Sequence, residues 1–343
     1  MQVRAHGPGR VNLIGEHTDY NAGLALPFAI ARGVTVDGEI GDDELVTVEA
    51  RDLGERDSFP LAGPQPAEGW RAFARGLVAE LREAGVAVPG ARLVVEGDLP
   101  RGSGLSSSAA LSAALSLALL GLAGTEDFDR VELAHICSRV ENEWVGAHTG
   151  MLDQLAVLCS SDGRALLIDF DSLGLRDVPL NLHGWRLATL DSGAPHDNAA
   201  SGYNDRRAEC VLACELLGVM TLREASAADA GQLPDPLGRR VLHVLTENAR
   251  VNEAVEALDA GDLALLGRLL DSSHASLRDD YEVSTPEVER AVAFLKDAGA
   301  AGARIIGGGF GGSVLGLFPP DADPPEGAEV VSPGPPAALV ATS

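Results

Sequence analysis

Leu99-Pro100-Arg101-Gly102-Ser103-Gly104-Leu105-Ser106-Ser107-Ser108-Ala109-Ala110 is the stretch that decides the fold. Before it, Ala91 to Glu96 has the apolar pattern of a strand and runs into the turn-like Gly97-Asp98. After it, an apolar run predicts a helix from about Ala109 to Leu122. A strand, a Gly/Ser loop and a helix in that order can cradle a phosphate. Glycines let backbone amides come close to a ligand, and a helix N-terminus presents unpaired N–H groups and partial positive charge to an anion. Three consecutive serines add hydroxyls, one of which can ligate Mg²⁺. This is not a Walker loop, which needs a lysine after its last glycine; the only lysine in the chain is Lys296. The plain alternative is a Gly/Ser turn with a serine N-cap.

The rest of the chain bounds what such a loop can serve. Its 343 residues are enough for two domains, and 45% apolar with 22% charged residues is globular composition. A net charge of −25 argues against nucleic acid and anionic membranes as partners. Four cysteines are too few for a disulfide scaffold, so Cys137, Cys159, Cys210 and Cys214 are expected as reduced thiols in a cytoplasmic protein. The first residues show no apolar stretch long enough for a secretory signal. Leu105 to Gly124 lacks charge over 20 residues, a membrane-spanning length, yet its serines and alanines read as a loop and a buried helix of a water-soluble protein.

Before the loop, period-two alternation predicts strands at Val3–His6, Thr35–Ile40 and Leu45–Ala50, and helical spacing predicts a helix from Trp70 to Ala84. After it, a helix is expected from Phe128 to Val145 and strands at Arg164–Asp169 and Leu187–Leu190. The turn-rich stretch between those strands suggests a domain boundary near residue 178. The second half reads mainly as helix, at Asp205–Leu217, Gly238–Asp259, Leu263–Ala275 and Pro286–Ala298. Strands follow at Ala303–Ile306, Ser313–Phe318 and Ala338–Ala341.

Three further segments carry chemistry. Gly9 to Tyr20, GRVNLIGEHTDY, packs Arg10, Glu16, His17 and Asp19 into ten positions. Carboxylates that accept and an imidazole that gives and takes one hydrogen bond suit the hydroxyls of a sugar; a solvated turn with salt bridges is the alternative. Gly307 to Ser313, GGGFGGS, lies between two apolar strands, and such glycine density needs a tight turn or a close ligand to justify it. Glu141 and Asp153 form an acidic pair near the phosphate loop, oxygen donors of the kind Mg²⁺ prefers.

Together these segments resemble the galactokinase family of the GHMP small-molecule kinases, whose other members include mevalonate and homoserine kinases. GRVNLIGEHTDYN is similar to the family's sugar signature, LPRGSGLSSSAA to its ATP loop, ENEWVGAHTGMLDQ to its catalytic segment and GARIIGGGFGGS to its third glycine motif. SGYNDRRAEC and SLRDDYEVS resemble further family segments. The resemblance implies an α+β fold of two domains, 1–178 ribosomal-protein-like and 179–343 ferredoxin-like, with the site in the cleft between them. It implies that Asp153 accepts or orients the proton of the anomeric hydroxyl and that Arg10 sits beside it. Glu16, His17, Asp19, Gly150 and Tyr203 would bind the sugar. Gly102, Ser103, Gly104, Leu105, Ser106, Ser107 and Ser108 would cradle the phosphates of ATP, and Ser108 and Glu141 would hold Mg²⁺. The reaction implied is phosphorylation of D-galactose at its 1-hydroxyl by a cytoplasmic monomer, with no nucleic acid or membrane partner. A kinase for N-acetylgalactosamine or arabinose, and a non-catalytic galactose sensor, are the alternatives.

Overall fold

A computed structural model describes residues 1–41, 44–99, 104–125, 127–147, 149–194 and 199–341. The main sheet has the order β13-β1-β3-β6-β4-β5, with β1 Gln2–Asn12, β3 Pro27–Ile40, β4 Leu45–Ala50, β5 Glu55–Pro60, β6 Ala91–Gly97 and β13 Ala338–Val340. Four helices accompany it: α1 Trp70–Glu83, α2 Ser107–Leu122, α3 Arg130–Arg139 and α4 Leu152–Cys159. A small sheet joins β2 Leu24–Ala25, β7 Arg164–Asp169 and β8 Gly174–Pro179. A third sheet, β10-β11-β9-β12, uses β9 Arg186–Asp191, β10 Gly302–Ile305, β11 Ser313–Phe318 and β12 Glu329–Val331. With it go α5 Ala199–Leu217, α6 Ala227–Ala230, α7 Leu237–Ala260, α8 Leu263–Asp279 and α9 Pro286–Asp297.

The helix predicted after the Gly/Ser loop is the buried pivot of the first half. Alanines at 109, 110, 113, 114 and 118 are all buried. They let α2 lie directly on β1: a Cβ on Gly7 would stand 2.1 Å from the Ala110 carbonyl oxygen. One step on, the Arg10 amide donates to the Leu105 carbonyl at 3.1 Å. The loop is thereby fixed against β1 beside Arg10. The strand expected at Val3–His6 thus extends through Gly7 and Gly9, which allow close packing. β1 runs on through Gly7-Pro8-Gly9 to Asn12, with its register shifted between Pro8 and Arg10, where proline is tolerated.

Thr35–Ile40 and Leu45–Ala50 are both strand, but β6 lies between them, pairing antiparallel with β3 and parallel with β4. The helix expected over 128–145 is α3 continued by a π-helical turn at Val140–Val145. β8 and α4 are not visible in the periodicity: β8 is mostly exposed, and α4 has only eight residues. β8 ends at Pro179, beside the expected boundary, while β13 brings the end of the chain back to pair with β1. Among the described residues, no helix is long and apolar enough to cross a membrane.

Candidate active site

Asp153 lies in the first turn of α4, where a helix N-terminus favours an anion. Arg10 donates from Nε to its Oδ1 at 2.7 Å, and the Ser106 hydroxyl donates to Oδ2. Arg10 also holds the Gly104 carbonyl through Nη1 at 2.6 Å. Side-chain exposure is 7% for Arg10 and 29% for Asp153, so the pair is shielded yet open on the carboxylate side. Ser106 takes a left-handed φ of +59° just before α2, a strained conformation for a residue with a Cβ.

Two serines of the triplet hold one carboxylate each. Ser106 holds Asp153, and Ser108 hydrogen-bonds to Glu141. Glu141 lies in the π-helical turn, a distortion common at functional sites. It also accepts from Thr149 at 3.2 Å and from Gln154. Burial and then the neighbouring Asp153 push its carboxyl above the ordinary value. Leu105 is a core residue that contributes its carbonyl, whereas Ser107 is exposed at the start of α2. Gly102 and Ser103 lie outside the described residues.

A cavity of about 340 Å³ opens over Asp153 and is lined by Glu16, His17, Asp19, Gly150 and Tyr203, every residue expected at the sugar. The glycine loop after β10 closes its other side. Gly307, Gly309, Gly311 and Gly312 all take positive φ, so the turn needs them. Glu16 is 5% exposed and pairs with Arg304 at 3.2 Å, and it accepts from the Gly307 amide at 2.9 Å. Burial raises its pKa, while Arg304 and Arg10 oppose that shift. Asp19 is pushed up to about 7, first by burial and then by Asp153. Burial, with His243 next, pushes His17 down to about 3, so its imidazole is neutral. Gly150 makes room for Asp19: a Cβ there would fall 1.9 Å from Oδ2.

Several site residues were not found from the sequence. Arg304 is wholly buried and donates to the carbonyls of Asn12 and Leu13 at 3.2 and 2.8 Å, tying β10 to the end of β1. An arginine inside a predicted buried strand was the available signal. A second cavity, of about 490 Å³, adjoins Ser107 and Ser108 and is lined by Leu53, Trp70, Phe73, Leu99 and Leu111. Nothing in the order of those residues announces a common site, since they come from four separate segments.

Comparison with known proteins agrees with this architecture. Residues 2–38 match the galactokinase galactose-binding signature, 72–161 the GHMP kinases N terminal domain and 254–333 the GHMP kinases C terminal domain. A galactokinase of Mycobacterium bovis BCG is 42% identical over 328 residues, covering 94% of this chain and 90% of that protein. The crystal structure of Lactococcus lactis galactokinase complexed with galactose superposes with a TM-score of 0.92 at 30% identity, covering 98% of this chain and 95% of that one. Methanococcus jannaschii mevalonate kinase shares the fold at a TM-score of 0.68 and 17% identity, over 94% and 92% of the two chains. The fold is the two-domain fold of the GHMP kinases. Within that class the chain belongs to the galactokinase family.

Proposed function

We propose that the protein transfers the γ-phosphoryl group of ATP to the 1-hydroxyl of D-galactose. The observation that carries this reading is Asp153, held by Arg10 and Ser106 at a cavity lined by Glu16, His17, Asp19 and Tyr203. Carboxylates and a neutral imidazole supply the mixed acceptors and donors that a sugar's hydroxyls need. The second cavity, apolar and flanked by Ser107 and Ser108, is suited to a nucleoside. From there a triphosphate would pass the N-terminus of α2, with its unpaired amides, toward Asp153.

Phosphoryl transfer depends chiefly on positioning and charge stabilisation. Asp153 orients the sugar hydroxyl and takes its proton as the new O–P bond forms. The bond from the γ-phosphorus to the bridging oxygen breaks, and ADP leaves with that electron pair. Arg10 keeps Asp153 in place and sets a fixed positive charge beside the transferring group.

Ser108 and Glu141 fit Mg²⁺: both offer hard oxygen donors, and a buried carboxylate beside a second carboxylate gains from a cation. When bound, the ion neutralises charge on the triphosphate. The reading keeps the protein a monomer of the cytoplasm, where four free cysteines stay reduced.

The test is an ADP-release assay with Mg-ATP and a panel of galactose, glucose, N-acetylgalactosamine and arabinose. Turnover with galactose, lost in Asp153→Asn while ATP still binds, is the expected result. Silence across the panel with galactose still bound in calorimetry would make the chain a sensor rather than a kinase.

A further inference from the structure

His17 is surrounded by every tyrosine the chain has. Of three tyrosines in 343 residues, Tyr203 and Tyr281 lie against the imidazole with ring centres 5.4 and 4.7 Å away, and Tyr20 meets it edge-on at 5.9 Å. Tyr203 lines the sugar cavity; Tyr20 and Tyr281 stand behind the histidine, where they touch no proposed substrate. Their hydroxyls form a chain. His17 Nδ1 is 2.8 Å from the Tyr20 hydroxyl, which is 3.1 Å from that of Tyr281, which is 3.0 Å from Cys210 Sγ. Asn21 closes the circuit: its Nδ2 donates to Cys210 Sγ at 3.7 Å and to the His17 carbonyl at 2.8 Å.

The protons along this circuit can be ordered from its ends. The Asn21 group facing the His17 carbonyl must be the NH₂, because a carbonyl only accepts. That NH₂ also faces Cys210, so the sulfur accepts there and meets the Tyr281 hydroxyl on its other side. Burial pushes the Cys210 thiol up to about 11 and holds both tyrosines well above their ordinary value, so each group keeps its one proton. An unprotonated imidazole nitrogen is the best acceptor in the circuit and a phenol its best donor, so Tyr20 donates to His17 Nδ1 and Tyr281 in turn donates to Tyr20. A neutral imidazole has one N–H, and with Nδ1 accepting, that hydrogen is on Nε2. Nε2 is buried without a close partner, and the Gly308 backbone acts on the ring as an acceptor that favours a proton.

We infer that Tyr20, Tyr281 and Cys210 are positioning residues that hold His17 as its Nε2–H tautomer, so that His17 meets the sugar as a hydrogen-bond donor. The hydroxyl facing it must therefore offer a lone pair and send its own hydrogen elsewhere. The statement about the sugar rests on the proposed function; the statement about the tautomer does not.

Nitrogen-15 NMR of histidine-labelled protein without sugar reads the tautomer directly, with the His17 signals identified by their loss in His17→Gln. The expected result is the Nε2–H pattern in the unaltered protein and a mixture of tautomers in Tyr20→Phe. An Nδ1–H pattern in the unaltered protein overturns the inference whether or not Tyr20→Phe folds. An unchanged pattern in Tyr20→Phe overturns it as well. In kinetics, Tyr20→Phe should raise KM for galactose about fivefold, the worth of one ordinary hydrogen bond, and change kcat by less than about twofold. An Nε2–H tautomer in a protein that turns over no sugar would refute the proposed function and leave the relay intact.

Discussion

Arg10 Nε donates to Asp153 Oδ1 at 2.7 Å across 143 positions of sequence. The same guanidinium holds the Gly104 carbonyl through Nη1. One planar fork therefore fixes the distance between the proposed base and the phosphate loop. A lysine ammonium is a point charge on a flexible stem and cannot keep both contacts in that geometry. Arg10→Lys should lower kcat by about 10² or more, in line with the loss of one preorganised transition-state donor. Steady-state kinetics with saturating ATP and galactose would check this, and a kcat within about threefold of the unaltered protein would reduce Arg10 to a packing residue.

Glu141 is held by Ser108, Thr149 and Gln154, and among the described residues it makes no salt bridge. A carboxylate raised above its ordinary value by burial and by Asp153 gains from a nearby cation. Glu141→Ala should shift the Mg²⁺ activation curve to concentrations about tenfold higher, with galactose binding in calorimetry unaffected. An unmoved Mg²⁺ titration would take Glu141 out of the metal site.

Much of this fold is legible in the sequence wherever one face is buried and the other is not. Arg164–Asp169 and Ser313–Phe318 are strands over the predicted span, and the helix starting at Trp70 starts there. The strand expected at Val3–His6 instead runs to Asn12. Gly7-Pro8-Gly9 carries the signals of a turn, but its glycines admit the Ala110 backbone rather than bend the chain. Local pattern cannot report a partner a hundred residues away. The site divides in the same way. Arg10, Glu16, His17, Asp19 and Asp153 are legible because their segments resemble a family. Tyr281 and Arg304 also lie in family-like segments, yet their roles are not legible, since each acquires meaning only from contact with the sugar-signature segment 261 and 291 positions distant.

Gly150 has the least room of the site's glycines. A methyl group there would sit 1.9 Å from Asp19 Oδ2 and 2.6 Å from Cγ, and the carboxylate would have to turn away. Gly150→Ala should therefore raise KM for galactose about tenfold or more, equivalent to roughly 1.4 kcal/mol, and leave KM for ATP nearly unchanged. Equal rises in both constants would mean a general loosening of the cleft and would sink the assignment of Asp19 as a sugar ligand.

Asp19 also gives the site a pH signature. Burial, and then Asp153, push its carboxyl up to about 7, so the folded protein keeps a proton that the unfolded chain, with an ordinary value near ~3.9, has lost. Where the folded state binds more protons, stability falls as pH rises. The contribution of Asp19 is thus greatest below about pH 4 and is lost progressively up to about pH 7. A sugar hydroxyl that donates to Asp19 favours the ionised form, so galactose binding should lower this pKa and release a fraction of a proton near neutrality. Calorimetric titration at one pH in two buffers of different protonation enthalpy measures that release. It should be largest near pH 6.5, fade by about pH 9 as Asp19 becomes ionised beforehand, and disappear in Asp19→Asn. Binding enthalpies identical in both buffers at pH 6.5 would show that Asp19 does not change protonation when the sugar binds.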